Sequence, residues 1–514
     1  MLNVSGGDMP QEESCYDVLH YDLTLAVDPS AQSIAGTLEM RAVLLEPSEK
    51  IVLDLDSALK ASAIRVDRAV CEFVQKDGRL TITPKIPIKS GREFVVSVDY
   101  GGKPRVAPNP PWNGGFTWSK TQDGKPWIAT SCQGEGADLW WPCKDQPSDK
   151  PNGIDLHISV PKGLVVASNG VLVGIDQGER DVWNWRESMP ISNYCVALNI
   201  APYEVITDEY QSVDGTKVPL EMFVLPEHAA AAKAFLPQFL DHVRVFEQIL
   251  GPYPWRKEKY GVAETPHLGM EHQTIIAYGN GFREGSKDYD WLHNHELAHE
   301  WWGNLVTCRD WKDMWIHEGF GTYMQPLYLE RHSGKEAYRR EMQRAKTLNR
   351  VPVAPREHKN SQEIHFGGGG GNDIYFKGSW ILHTLRWHMG DEKFFRCFRR
   401  FCYPTEESEK LTDGSQVRLV DTEDFVRLSS EIAGEDLAWF FEVYVRQPHL
   451  PRLEATEEAG SLHLAWKTPR SLPFPLPVPV RIGTDLRRID MPVERPSFPS
   501  KASPSRSTLI TASS

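Results

Sequence analysis

Residues 293–323 read HNHELAHEWWGNLVTCRDWKDMWIHEGFGTY, and the rest of the chain is read outward from them. His295 and His299 stand four apart. On a helix that spacing puts both on one face, about one turn apart, where two imidazoles reach a single metal ion. Glu296, one position on, turns toward the side where a metal-bound water lies, which suits a general base. Nineteen residues beyond His299 comes Glu318, on the next predicted helix. Two His and one carboxylate form a catalytic-zinc ligand set with one position left for water. Chance produces H-E-x-x-H in about 1 sequence in 25 of this composition, and in about 1 in 300 once the Glu is also required. The bland alternative is a helix with two satisfied surface histidines.

Upstream, residues 17 to about 205 read as strands. Tyr21, Leu23, Leu25 and Val27 alternate with polar residues, as do Phe94, Val96, Val98 and Tyr100, and Ile154, Leu156, Ile158 and Val160. Period-two alternation broken by Gly, Pro and Asp predicts an antiparallel sheet with one buried face. After about residue 206 the period becomes helical. Phe235, Phe239, Val243, Phe246 and Leu250 mark a helix over 227–250, stopped by Pro252 and Pro254. Short strands are expected at 259–264 and 269–278. Helices are expected at 288–304, 313–332, 335–348, 373–389, 391–402 and 422–446, with Pro326 kinking or shortening the second. From Pro448 onward, alternating Leu462, Leu464 and Trp466, then Val478, Val480 and Ile482, suggest a small β-module, with a loosely ordered tail KASPSRSTLITASS. The five-glycine run 367–371 lacks a preceding strand and the G-x-G-x-x-G spacing, so it reads as a loop beside the site, not a nucleotide site.

The chain has 514 residues, which at about 150 per domain suggests three. The expected fold is multidomain α+β, with an N-terminal antiparallel β domain (1–205), a catalytic domain (206–447) and a short C-terminal β domain (448–514). A formal net charge of −13 argues against a general nucleic-acid binder. No run approaches the ~20 apolar residues of a membrane span. The N-terminus MLNVSGGDMPQEES has no basic and apolar leader pattern, so the protein is expected to be cytoplasmic, or else a mature exported form whose leader is absent. Eight scattered cysteines without a CxxC pair read as buried free thiols.

HELAHEWWGNLVT followed by WIHEGF resembles the gluzincin zinc aminopeptidases, the family of aminopeptidase N and leukotriene hydrolase. In that family eighteen residues separate the second His from the third ligand, and residues 300–317 number eighteen here. HLGMEHQ (267–273) is similar to the exopeptidase signature G-x-M-E-N. CQGEGADLWWPCKDQPSDK (132–150) is similar to the block ending in P-C-x-D-x-P, and IYFKGSWILHTLR (374–386) to the segment whose Tyr faces the zinc.

The resemblance implies a short three-domain zinc aminopeptidase with a thermolysin-like catalytic domain and one Zn2+ per chain, held by His295, His299 and Glu318. Glu296 is implied as general base and Tyr375 as hydrogen-bond donor to the oxyanion. Glu271 is implied to bind the substrate's α-ammonium, helped by Gln133, nine residues before Pro142. Backbone groups at Gly269 and Met270 are expected to pair with an extended substrate. The partners implied are peptides with a free N-terminus; the oligomeric state is not readable. Larger relatives carry a further helical domain, and its absence after residue 448 is expected to leave the cleft more open.

The departures are Leu268 and His272 in place of the signature's outer Gly and Asn, and His317 in place of the Asn before the third ligand. They raise two questions: the shape of the first side-chain pocket, and whether His272 titrates during turnover. A carboxylate or a carbonyl is expected to orient each ligand imidazole, and Asp313 and Glu300 are candidates. Trp140, Trp141, Trp301, Trp302, Trp311 and Trp315 read as core, or alternatively as an aromatic wall favouring a bulky apolar first residue. Rival readings are an endopeptidase with the same centre, a bifunctional enzyme that also opens lipid epoxides, and a non-catalytic scaffold.

Overall fold

The computed structural model describes residues 5–283, 287–491 and 497–499. It divides into two compact units. The first runs to Trp311 and adds 358–364 and 402–420; the second holds 312–357, 365–401 and the chain from Asp421 onward.

The first unit opens with an eight-stranded sheet. From edge to edge its order is Val171–Asp176, Asp181–Glu187, Ile154–Val160, Tyr16–Asp28, Ser33–Leu44, Glu93–Gly102, Leu59–Val66 and Ala69–Val70. The alternating residues predicted to face inward are all buried: Tyr21, Leu23, Leu25 and Val27, Phe94 to Tyr100, and Ile154 to Val160. Register explains why, since Leu38 stands opposite both Leu23 and Val98, and Met40 opposite both Tyr21 and Val96, so apolar faces align across the strands. One pair departs from the antiparallel expectation. Tyr16–Asp28 runs parallel to Ile154–Val160, because more than a hundred residues of intervening chain return to the same end before pairing.

A five-stranded sheet follows, in the order Glu204–Gln211, Lys217–Val224, Tyr260–Glu264, Ile276–Tyr278 and Gly269–Met270. The predicted helix appears over Ala229–Leu250, with Phe239, Val243, Phe246 and Leu250 buried. The two-residue strand Gly269–Met270 is the sheet's edge, paired on one side with Tyr278 and Ala277.

The second unit is helical before it turns to strands. Trp315–Ser333 forms one helix despite Pro326 inside it. The expected shortening does not occur, because every residue from Trp315 to Leu329 is buried, and this packing outweighs the ~3 kcal/mol that an interior proline costs. The helices Asp373–Met389 and Asp391–Cys402 match expectation. The long helix expected over 422–446 is two, Thr422–Ala433 and Ala438–Tyr444, broken at Gly434, whose left-handed φ of 78° ends the first. The glycine run 367–371 turns through one 3-10 turn with Gly368, Gly369 and Gly371 at positive φ. In the C-terminal strands Leu464, Val478, Val480 and Met491 make a small core, while Ile482 is exposed. The tail 501–514 lies outside the described residues. All eight cysteines are buried and unbridged. Among the described residues no helix is long and apolar enough to cross a membrane.

Candidate active site

In the first unit, the helix Trp291–Ala298 is started by Asp290, whose carboxylate accepts the His293 N–H at 2.9 Å. Asp290 also accepts from the Tyr278 hydroxyl and from Asn280 Nδ2, so the cap is tied to the neighbouring strand. The helix carries His295 and Glu296 in its last turn, and His299 caps it. The two imidazoles stand edge to face, ring centres 4.8 Å apart, with Nε2 facing Nε2 at 3.3 Å.

Chemistry fixes the tautomer of His299. Its Nδ1 lies 2.8 Å from the Trp302 carbonyl oxygen, which only accepts, so Nδ1 carries the proton and Nε2 presents a lone pair toward His295. Two ring nitrogens each ~2.05 Å from one tetrahedral zinc lie ~3.3 Å apart by simple geometry. The separation observed between the rings fits that ion.

Beside them stands the Glu271 carboxylate. One ligand atom from each of Glu271, Glu296 and His299 lies within 4.8 Å of the others. Glu271 Oε1 accepts from Gln133 Nε2 at 2.5 Å and from the Tyr194 hydroxyl at 3.2 Å. Its main-chain carbonyl accepts from Asn304 Nδ2 at 3.1 Å. Gly269 and Met270 form the edge strand just before it.

Of the two expected kinds of orienting partner, His299 has the carbonyl, and the two candidate carboxylates bond elsewhere. Glu300 is a buried hub that accepts from Tyr253, Trp255 Nε1, the Thr274 N–H and Asn304 Nδ2. Burial raises its carboxyl to about 7. Asp313 Oδ1 accepts from the Thr422 hydroxyl at 2.5 Å. Burial, with a further push from His267, drives His272 down to about 3, so this ring stays neutral at any ordinary working pH. Trp140, Trp141, Trp301, Trp302, Trp311 and Trp315 are each at most 1% exposed. They are core residues, and the aromatic wall is not built from them.

In the second unit, Glu318 lies buried in the first turn of the Trp315–Ser333 helix. Tyr375 lies in the first turn of the Asp373–Met389 helix, partly accessible, its ring 6.2 Å from that of His365. Anchors flank it on both sides. Asp373 accepts the N–H groups of Leu348 and Arg350, and Lys377 donates to the carbonyls of Gln447 and Pro448. The two helices meet at glycines: a Cβ on Gly319 would lie 2.9 Å from the Cα of Gly378.

Sequence reasoning missed Tyr194, Asn304 and the Trp302 carbonyl. Tyr194 sits in the apolar run ISNYCVALNI, 77 residues before Glu271, with no motif to mark it. A carbonyl partner leaves no side-chain signal at all.

This strand-and-helix frame with its H-E-x-x-H helix is the architecture of a metallopeptidase. Residues 18–195 match the peptidase M1 N-terminal domain and residues 257–444 the peptidase family M1 domain, together well over half of the chain. The chain belongs to peptidase family M1. It is similar to aminopeptidase M1-B of Oryza sativa subsp. japonica, 24% identical over 484 residues, covering 88% of this chain and 52% of that protein. Leukotriene A-4 hydrolase of Xenopus laevis is 25% identical over 352 residues, covering 65% and 54%. Among solved structures, an M1 zinc metallopeptidase from Deinococcus radiodurans aligns with TM-score 0.67 and 25% identity, covering 85% of this chain and 95% of that one. The chain spans about half the length of the curated relatives it matches.

Proposed function

We propose that the protein is a zinc metallo-aminopeptidase that removes single residues from the free N-terminus of peptides. The observation that carries this reading is the Glu271 carboxylate, held by Gln133 and placed within 4.8 Å of both Glu296 and His299. An endopeptidase has no use for a carboxylate at that position, whereas an aminopeptidase needs one to bind the α-ammonium one residue from the scissile bond.

His295, His299 and Glu318 are the residues to hold one zinc ion, the histidine pair supported by its 3.3 Å separation and Glu318 by its spacing from His299. When bound, zinc would lower the pKa of its water to about 7 and polarise the scissile carbonyl. The protein does the rest. Glu271 and Gln133 hold the ammonium, and the edge strand Gly269–Met270 offers main-chain groups for an extended substrate to add as a strand. Glu296 takes a proton from water at its carboxylate and passes it to the leaving amine, as base and then acid. The Tyr375 hydroxyl donates to the carbonyl oxygen as negative charge gathers there.

Among the relatives, proteins named aminopeptidase support the reaction class, and a variant of the Deinococcus radiodurans metallopeptidase has been solved with a Tyr-Ser-Ala substrate. The test is mass spectrometry of an unblocked hexapeptide incubated with zinc-loaded protein. We expect a ladder shortened one residue at a time from the N-terminus and no cleavage after chelation. Internal cuts would establish the endopeptidase instead.

A further inference from the structure

We infer that Tyr194 is a positioning residue of the amine anchor, its hydroxyl fixing the plane of the Glu271 carboxylate that receives the substrate's ammonium. This rests on the aminopeptidase reading of Glu271. Tyr194 occupies a single 3-10 turn, Asn193–Cys195, and is 3% exposed. A buried hydroxyl is costly unless it is bonded, so a tyrosine where phenylalanine would pack equally well calls for a partner. The partner is Glu271 Oε1, at 3.2 Å, the same oxygen that takes the Gln133 amide. Two donors arriving from two separate turns on one oxygen fix the carboxylate against rotation.

The next residue grips the same glutamate from behind. Cys195 Sγ donates to Asn304 Oδ1 at 3.2 Å, and Asn304 Nδ2 donates to the Glu271 carbonyl. The Asn304 N–H in turn bonds the His299 carbonyl at 2.9 Å. Side chain and main chain of the anchor are thus both referred to the 194–195 turn, and the main chain also to the turn that carries a zinc-ligand histidine. Burial, with the charge of Glu271, holds the phenol well above its ordinary range, so it remains a donor wherever the enzyme works.

The test is Tyr194→Phe in zinc-loaded protein, assayed on Leu-p-nitroanilide. A hydrogen bond to an ionised group is typically worth a factor of ten or more. We expect KM to rise about tenfold with kcat within about twofold and zinc content unchanged. In a Glu271→Gln background the same substitution should have no further effect on KM. Wild-type KM in Tyr194→Phe, with or without a lower kcat and melting temperature, would overturn the inference. Wild-type protein that does not distinguish free from blocked amines would sink the aminopeptidase reading itself, a separate outcome.

Discussion

Gly269 and Glu296 stand so close that a single methyl group cannot be placed between them: a Cβ on Gly269 would lie 2.6 Å from Glu296 Oε1 and 2.6 Å from Leu292 Cδ1. The edge strand and the Glu296 carboxylate are therefore set against each other without slack. Gly269→Ala must push the base or the strand aside. Because displacement of about 1 Å at a reacting group costs on the order of 100-fold, we expect kcat/KM to fall by about that factor. Zinc content should stay near one per chain, measured by atomic absorption on the purified variant.

The proposed metal ligands and the proposed base separate by what each loses. His299→Ala and Glu318→Ala should abolish stoichiometric zinc together with activity. They should also remove the rise in melting temperature that zinc gives the native protein. Glu296→Gln should keep its zinc and lose on the order of 10²–10⁴-fold in kcat. A Glu296→Gln variant devoid of metal, or a Glu318→Ala variant with a full complement, would reverse the assignments.

The helices bearing Glu318 and Tyr375 approach through Gly319 and Gly378. Neither glycine needs an unusual backbone angle; each is small because the other is near. Gly378→Ala forces the helices apart, and overpacking of this kind costs about 1–3 kcal/mol. Thermal unfolding should register that loss, and kcat should fall more than KM rises, because Tyr375 shifts on its helix. Unchanged stability would mean the contact is looser than the structure has it.

Two buried histidines set a pH dependence. Burial lowers His267 to about 4 and His272 to about 3. Both lie below the value of ~6.5 in an unfolded chain, so the unfolded state takes up the proton first. Their contribution to stability is complete above about pH 6.5 and is lost as the pH falls through 4 and 3. His272→Asn, which restores the residue of the G-x-M-E-N signature, removes one of these groups. Its stability should fall less steeply than that of the native protein between pH 6.5 and 4, by ~3 kcal/mol in all. Parallel stability curves from denaturant titrations at several pH values would contradict this.

The parts of the molecule legible in the sequence were those governed by a period or a spacing. Tyr21 to Val27 and Ile154 to Val160 announced buried strand faces, and His295 with His299 announced a shared helix face. The sequence did not show that Tyr16–Asp28 and Ile154–Val160 pair in parallel, since period-two alternation is the same in either direction. Pro326 misled because local backbone cost was weighed without the burial that surrounds it. The tryptophans are core, as the main reading has it, and the alternative of an aromatic wall fails because richness near a motif says nothing about which way a ring faces. Tyr194 and the Trp302 carbonyl were invisible for a simpler reason: each acts through a tertiary contact with a residue of a different motif or through the main chain.

The most direct measurement is a paired assay of the zinc-loaded protein on Leu-p-nitroanilide and N-acetyl-Leu-p-nitroanilide, each with and without a chelator. We predict chelator-sensitive release of p-nitroaniline from the free-amine substrate alone. Cleavage of both substrates at similar rates, or cleavage of neither by protein holding one zinc per chain, would contradict the account.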